Sequence, residues 1–181
     1  MKRTVWLWEL FGFAVTSLLG TLLHFLFEFS GGSVLTAPFS GVNESTFEHM
    51  KLLFWPMLLF AVFQSFFFKA YPSFFCVKLR GILLGLTLIP IIFCTYNGTI
   101  GKSPDWVNIS IFFISAAIAF FFEARLLRKD EIIAHDVGTT CRKSLAIAAL
   151  CLISLAFIFF TFLPPHLEIF KDPITGNYGI I

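Results

Sequence analysis

Charge is what this sequence has least of: Asp, Glu, Lys and Arg make up 13% of its 181 residues, about half the share found in an ordinary water-soluble domain. The deficit excludes a water-soluble fold, because too few polar groups remain to cover a surface. Basic residues never cluster among exposed aromatics, and the net charge is only +2, so a nucleic-acid surface is excluded as well. The four cysteines, Cys76, Cys94, Cys141 and Cys151, form no CxxC pair and lie inside or at the ends of hydrophobic runs. They read as small apolar packing residues, not as a disulfide framework or a thiolate metal site. There is no HExxH, no pair of histidines at metal-ligand spacing and no GxSxG, so no motif of a known hydrolase class is present. Internal repeats are absent too, and no piece longer than about twenty residues escapes the apolar runs to form a soluble domain.

What fills the chain instead is hydrocarbon. Hydrophobic residues make up 57%, including 26 phenylalanines, more than one soluble core of this size can hide but well suited to lipid. A bilayer core about 30 Å thick needs roughly 20 mainly apolar helical residues per crossing. Five stretches qualify, near residues 5–27, 51–68, 74–96, 106–122 and 144–163, followed by a tail, 164–181. The opening MKRTVWLWELFGF has the basic end of a signal peptide, but its apolar stretch runs past Gly20 without a small-residue cleavage site, so it reads as a retained first span. The expected fold is all-α: a single membrane domain over 1–181, built as a polytopic bundle of about five transmembrane helices.

Orientation follows from the basic residues, which are retained on the cytoplasmic side more readily than they are translocated. One side receives Lys2, Arg3, Lys69, Lys78, Arg80, Arg125, Arg128, Lys129, Arg142 and Lys143; the other receives only Lys51, Lys102 and Lys171. The expectation is therefore an N-terminus inside and a C-terminus outside. Ser45 and Glu48 have the spacing of a capping box at the start of the second helix. Pro164 and Pro165 end the fifth, while Pro56 and Pro90 fall inside spans two and three, where proline frees a carbonyl. Gly81 and Gly85 form a small-xxx-small pair suited to close helix packing.

Polar chemistry gathers on the expected outer side. His24 and Glu28 share a helix face at the end of span one, and Glu44, Glu48 and Lys51 share a stripe at the start of span two, with His49 beside them. The joining loop, SGGSVLTAPFSGVN, is apolar and rich in small residues, fit to fold over the helix ends or dip into the bilayer. The tail adds His166, Glu168 and Asp172, and its Asp-Pro and Thr-Gly-Asn steps read as turns. A polar pocket is expected there, with His24, Glu28, Asn43, Glu44, Glu48, His49, His166 and Asp172 as candidate ligand-binding residues. Within it, His24, Glu48 and His49 are candidate ligands for a divalent metal such as zinc, and Glu48 and His49 candidate catalytic groups. Against these stands a structural reading in which the acids favour a helix N-terminus, Glu48 pairs with Lys51 and the histidines sit at the wet interface. Elsewhere, Glu9 reads either as a proton-relay carboxylate or as the partner of a nearby basic residue. Glu123 through Glu131 reads as a solvated mixed-charge helix end, and His135 with Asp136 has no evident partner.

At NESTFEHMK, with HFLFEFSGG upstream and FKDPITGNYG at the end, the chain resembles a family of small, uncharacterised bacterial integral membrane proteins grouped as a domain of unknown function. The resemblance implies a multi-pass protein of a prokaryotic cytoplasmic membrane over nearly the whole length, and it brings no catalytic residue with it. Two functional classes stay open. One is a binding or transport component that holds a small solute, ion or lipid headgroup in the outer pocket, as a homo-oligomer or within a larger membrane complex. The other is a membrane hydrolase or transferase, metal-dependent or not, acting on a lipid-borne substrate at the outer leaflet.

Overall fold

The structure is a computed structural model that describes residues 2–101, 103–133 and 141–180. Lys102, His135 and Asp136 lie outside the described residues. Among the described residues five α-helices run in chain order: α1 (Lys2–Phe29), α2 (Thr46–Ser65), α3 (Phe74–Thr99), α4 (Asp105–Ile133) and α5 (Lys143–Phe162). Each contains a window long and apolar enough to cross a bilayer, so the protein is a multi-pass, all-helical membrane protein. The boundaries differ from the expected spans most at two places. α2 begins five residues earlier than 51 because Ser45 accepts a hydrogen bond from the Glu48 N–H at 3.4 Å, so the cap, rather than hydropathy, sets the first turn. α4 runs on to Ile133, past the point where charge makes the sequence look solvated.

α2 is enclosed by its neighbours along most of its length, whereas α1 and α5 keep most of their surface for lipid. α1 therefore buries only a narrow stripe, Val5, Glu9, Gly12, Thr16 and Gly20, spaced three and four apart as one helix face requires. Small residues in that stripe let the helices approach closely. A Cβ on Gly12 would overlap the Phe60 ring, and one on Gly20 would stand 2.6 Å from Phe112 and 2.9 Å from the Leu52 carbonyl. Leu52 is four residues before Pro56, so its carbonyl is the one that proline leaves without a helical donor. Gly20 thus gives up its side chain where α2 exposes a free acceptor. The segment between α1 and α2 starts with Gly31 and Gly32 at φ of 69° and 75°, where the Gly32 N–H reaches back to the Phe27 carbonyl at 2.9 Å and closes the helix end. It then packs against α1 and α2, the Gly41 N–H donating to the Leu23 carbonyl at 3.4 Å. Ala37, Pro38 and Ser40 are buried, and Trp55 Nε1 of α2 donates to the Pro38 carbonyl at 2.9 Å.

The reading of all four cysteines as packing residues is overturned. Cys76 and Cys141 are joined by a disulfide, tying the start of α3 to the residues before α5. Sixty-five positions separate them, and no local motif announces a pairing made by tertiary proximity. Cys94 and Cys151 are free and exposed on the apolar helices, so neither packs inside the bundle. The disulfide lies at the end of the bundle that carries Lys78 and Arg80, which charge sorting assigns to the reducing cytoplasm, where such bonds rarely persist. Alkylation of intact cells before lysis tests which side that end faces: thiols trapped reduced place it in the cytoplasm, and a bond already closed places it outside. A bond already closed at trapping, joined by labelling of that end from outside, would reverse the orientation.

Candidate functional site

Three separate segments meet at the opposite end of the bundle: α1 supplies His24, the connecting segment Glu44 and α2 His49. Glu44 lies between the two imidazoles, its Oε1 3.6 Å from His24 Nε2 and its Oε2 3.6 Å from His49 Nε2. One donor atom of each residue falls within 4.8 Å of the others. The spacing is informative. A charge-assisted N–H···O bond closes to about 2.7–2.9 Å, whereas two ligands on one tetrahedral ion with bonds of about 2.0–2.1 Å stand roughly 3.4 Å apart. The tautomer of His49 fits the second case. Its Nδ1 is 3.0 Å from the Ser45 carbonyl, which can only accept, so Nδ1 carries the hydrogen, and in the neutral ring Nε2 presents a lone pair toward Glu44.

The chain holds these groups with a dense set of polar contacts. Lys51 Nζ, fully buried, pairs with Glu48 Oε2 at 2.6 Å and donates to the Ala37 carbonyl at 2.9 Å and to Thr161 Oγ1 at 3.0 Å. All three ammonium hydrogens are thereby used, and α2, the connecting segment and α5 are clasped together. Glu48 Oε2 also accepts the Val42 N–H at 2.9 Å. On the other flank the tail docks on the residues just before α2. Asn43 Nδ2 donates to the Gly179 carbonyl at 3.0 Å, and its Oδ1 accepts the Ser45 N–H at 2.9 Å. An antiparallel bridge between Lys171 and Tyr178 closes the tail into a turn. Phe170 anchors it, buried with its ring 4.5 Å from Phe47.

Asp172 is the hinge of that turn. Burial pushes its carboxyl up, but hydrogen bonds from the Thr175 hydroxyl at 2.6 Å, from the Ile174 and Thr175 N–H groups and from the backbone of Glu44 outweigh burial and hold it below the usual carboxylate range. A carboxyl lowered on folding contributes stability that is full above its unfolded value, about 3.9, and is lost as pH falls through the lower folded one. The protection of residues 164–180 against hydrogen exchange, corrected for the intrinsic pH dependence of amide exchange, is therefore expected to be full at neutral pH and to fall below about pH 4, and Asp172→Asn is expected to show the low protection at every pH.

Of the residues singled out from sequence, His24, Glu44 and His49 come together. Glu28 is exposed one turn farther along α1. His166 is exposed and stands edge-on to Tyr178, ring centres 4.8 Å apart, within the tail. Asn43 and Asp172 join the tail to the segment that carries Glu44, and Glu48 serves the Lys51 clasp. Two cavities adjoin the His–Glu–His group. One, of about 20 Å³, is lined by Glu44, Thr46, His49 and Asn108 among apolar neighbours, room for about one water. The other, of about 260 Å³, lies between α1, α2 and α4, with walls that include Gly20, Phe25, Ile109 and Phe112 and with both histidines in its lining.

Sequence reasoning missed a second polar centre. Glu123 is not part of a solvated helix end: it is fully buried and pairs with Lys78, because α4 continues as a packed helix and turns that face toward α3. Glu9 takes the second of its two readings, as the ion-pair partner of Lys78. The available signal was a charge inside each of three apolar windows, at Glu9, Lys78 and Glu123, with Gln64 in a fourth.

No curated protein and no solved structure matches this chain. A family of unknown function, DUF6512, does, over residues 2–180. Five apolar helices and an end-to-end match agree with the resemblance carried by NESTFEHMK and its flanks, and the chain belongs to that family of unknown function.

Proposed function

We propose that His24, Glu44 and His49 bind a divalent cation of the zinc class, and that the protein is a membrane binding or transport component whose cation site faces the outside of the cell. The observation that carries this reading is that Glu44 stands 3.6 Å from both imidazoles, one carboxylate oxygen toward each, with one donor atom of all three residues within 4.8 Å of the others. Two imidazoles and a carboxylate suit zinc and its neighbours better than calcium or magnesium, which prefer all-oxygen shells. The Ser45 carbonyl on His49 Nδ1 supports it, since ligating histidines commonly donate their second nitrogen to such a group. Glu48 and His166 are the nearby alternatives that the proposal leaves aside as ligands. Five spans are few for a lone carrier, so a homo-oligomer or a larger membrane complex is part of the proposal.

A second reading rests on the 260 Å³ cavity. Three protein donors are one short of a tetrahedral set, the arrangement of catalytic zinc sites, and an apolar space beside them fits the tail of a lipid-borne substrate. In that reading the metal would activate water or polarise a phosphoryl or acyl oxygen for a hydrolase or transferase.

Elemental analysis and zinc titration of detergent-purified protein test the proposal. One equivalent of metal is expected in the wild type, with a weakening of at least about 100-fold in Glu44→Gln and in His49→Ala, since loss of a direct ligand exceeds the roughly 10–100-fold cost of losing an outer partner. His166→Ala is expected to bind normally. At 100 times its dissociation constant, zinc would stabilise the fold by about 2.7 kcal/mol, a thermal shift absent from Glu44→Gln. Well-folded wild type that takes up no metal would sink the proposal. Ile109→Trp, which fills the neighbouring cavity, separates the readings: metal binding kept while a lipid-dependent activity disappears favours the second.

A further inference from the structure

At the end of the bundle away from His24, four helices close around charged side chains that the metal proposal does not use. Lys78 Nζ on α3 donates to Glu9 Oε1 and Oε2 on α1, at 2.9 and 2.8 Å, and to Glu123 Oε2 on α4 at 2.6 Å. Gln64 on α2 adds its Nε2 to Glu9 Oε1 at 2.8 Å. None of the four side chains is more than 1% exposed. The rings of Phe60, Phe74 and Phe120 surround the ammonium, their centres 5.6–5.7 Å away. Among the described residues no other charged group pairs with the cluster. Lys69, Arg80, Arg125 and Lys129 are exposed, Arg128 lies over the Trp6 ring and Lys143 over Phe75, and α5 contributes no charge to it.

Counting donors and charges exposes an imbalance. Two carboxylates face one ammonium, so the fully ionised cluster carries an uncompensated negative charge in a place where water cannot solvate it. Every hydrogen of the ammonium is already used. Yet within the cluster two buried oxygens have no partner, Glu123 Oε1 and Gln64 Oε1. A hydrogen on Glu123 Oε1 would cancel the excess charge without disturbing any bond of the ammonium. Space has been left for that carboxyl: a Cβ on Gly81 of α3 would overlap the Glu123 carboxyl group.

From this we infer that Glu9, Lys78 and Glu123 form an exchangeable one-proton site, with Glu123 Oε1 as the atom that takes the proton. Uptake forms a single O–H bond with a proton delivered by water at the basic end of the bundle. Release breaks the same bond and leaves the cluster with net charge −1. Two carboxylates crowded into one site characteristically share one proton in this way. The inference stands on atoms remote from His24, Glu44 and His49 and is independent of whether a metal binds there.

Infrared spectroscopy of the reconstituted full chain at neutral pH reads the proton directly. The carbonyl stretch of a buried, un-ionised carboxylic acid is expected in the wild type, shifted after exchange into D₂O, absent from Glu123→Gln and retained in Glu48→Gln. No such band, or one that persists in Glu123→Gln, overturns the site; a band that never shifts in D₂O overturns its exchange. Stability gives a second readout. Glu123→Gln has the charge of the protonated acid, so its unfolding temperature is expected to stay within a few degrees of the wild type. Adding Glu9→Gln strands the ammonium, and the double variant should lose far more than the two single losses together. A Glu123→Gln loss as large as that of the double variant would mean that both carboxylates are ionised, and the inference fails.

Discussion

Lys78→Met is expected to destabilise the protein by about 3–5 kcal/mol at neutral pH, the cost of leaving a buried charge without its partner. Lys78 makes three short bonds to two carboxylates from two other helices, so its loss uncouples α1, α3 and α4 at one stroke. Methionine keeps the length of the side chain, which separates the electrostatic loss from a packing loss. Buried charge clusters are often no more stable than neutral groups of the same shape. Removing all of the charge together, in Glu9→Gln, Lys78→Met, Glu123→Gln, is therefore expected to restore most of the stability that Lys78→Met loses alone. Guanidinium unfolding in detergent measures both variants. A triple variant no better than Lys78→Met would show that the loss does not come from a buried charge left without its partner.

At the other end, Lys51→Met is expected to cost a similar amount, about 3–5 kcal/mol, and in addition to weaken zinc. Lys51 is fully buried with three partners on three segments, and Glu48, its counter-charge, accepts the Val42 N–H two residues before Glu44. Without the ammonium, the buried Glu48 carboxylate is expelled toward water, and the turn that aims Glu44 at the histidines goes with it. Zinc affinity should fall by about 10–100-fold, the scale of losing an outer partner rather than a ligand. Combining Lys51→Met with Glu48→Gln is expected to recover stability but not zinc affinity, because the lost hydrogen bonds to Ala37 and Thr161 still leave the connecting segment loose. Full recovery of both would reduce Lys51 to a neutraliser of Glu48.

The two charged centres show why each end of the bundle was legible to a different degree. His24, Glu44 and His49 were visible as candidates because they cluster at predicted span ends, where polar residues in a hydrophobic chain attract notice. Which acid joins the imidazoles was not visible: Glu48 lies one residue from His49 and fits a capping box, yet its carboxylate turns to Lys51 and Val42, while Glu44 reaches across to His24. That choice depends on the path of a connecting segment pinned by the tail through Asn43 and Asp172, and residues more than a hundred positions apart leave no periodic trace. Lys78 was read as a topology marker and Glu123 as solvated because a charge near a span end is ordinarily at the interface. Only the rotation of α3 and α4 about their axes turned both inward.

The sequence by itself determined the solvent, the number of crossings and the class of fold. Hydropathy is a property of each window of about twenty residues and needs no partner to be expressed. The tertiary structure alone decided the Cys76–Cys141 bond, the identity of the His–Glu–His group and the four-helix clasp around Lys78. Each of these is a distance between residues on different helices, fixed by how Gly12, Gly20 and Gly81 let those helices approach, and lipid, which solvates any apolar face equally well, imposes no such pairing in advance.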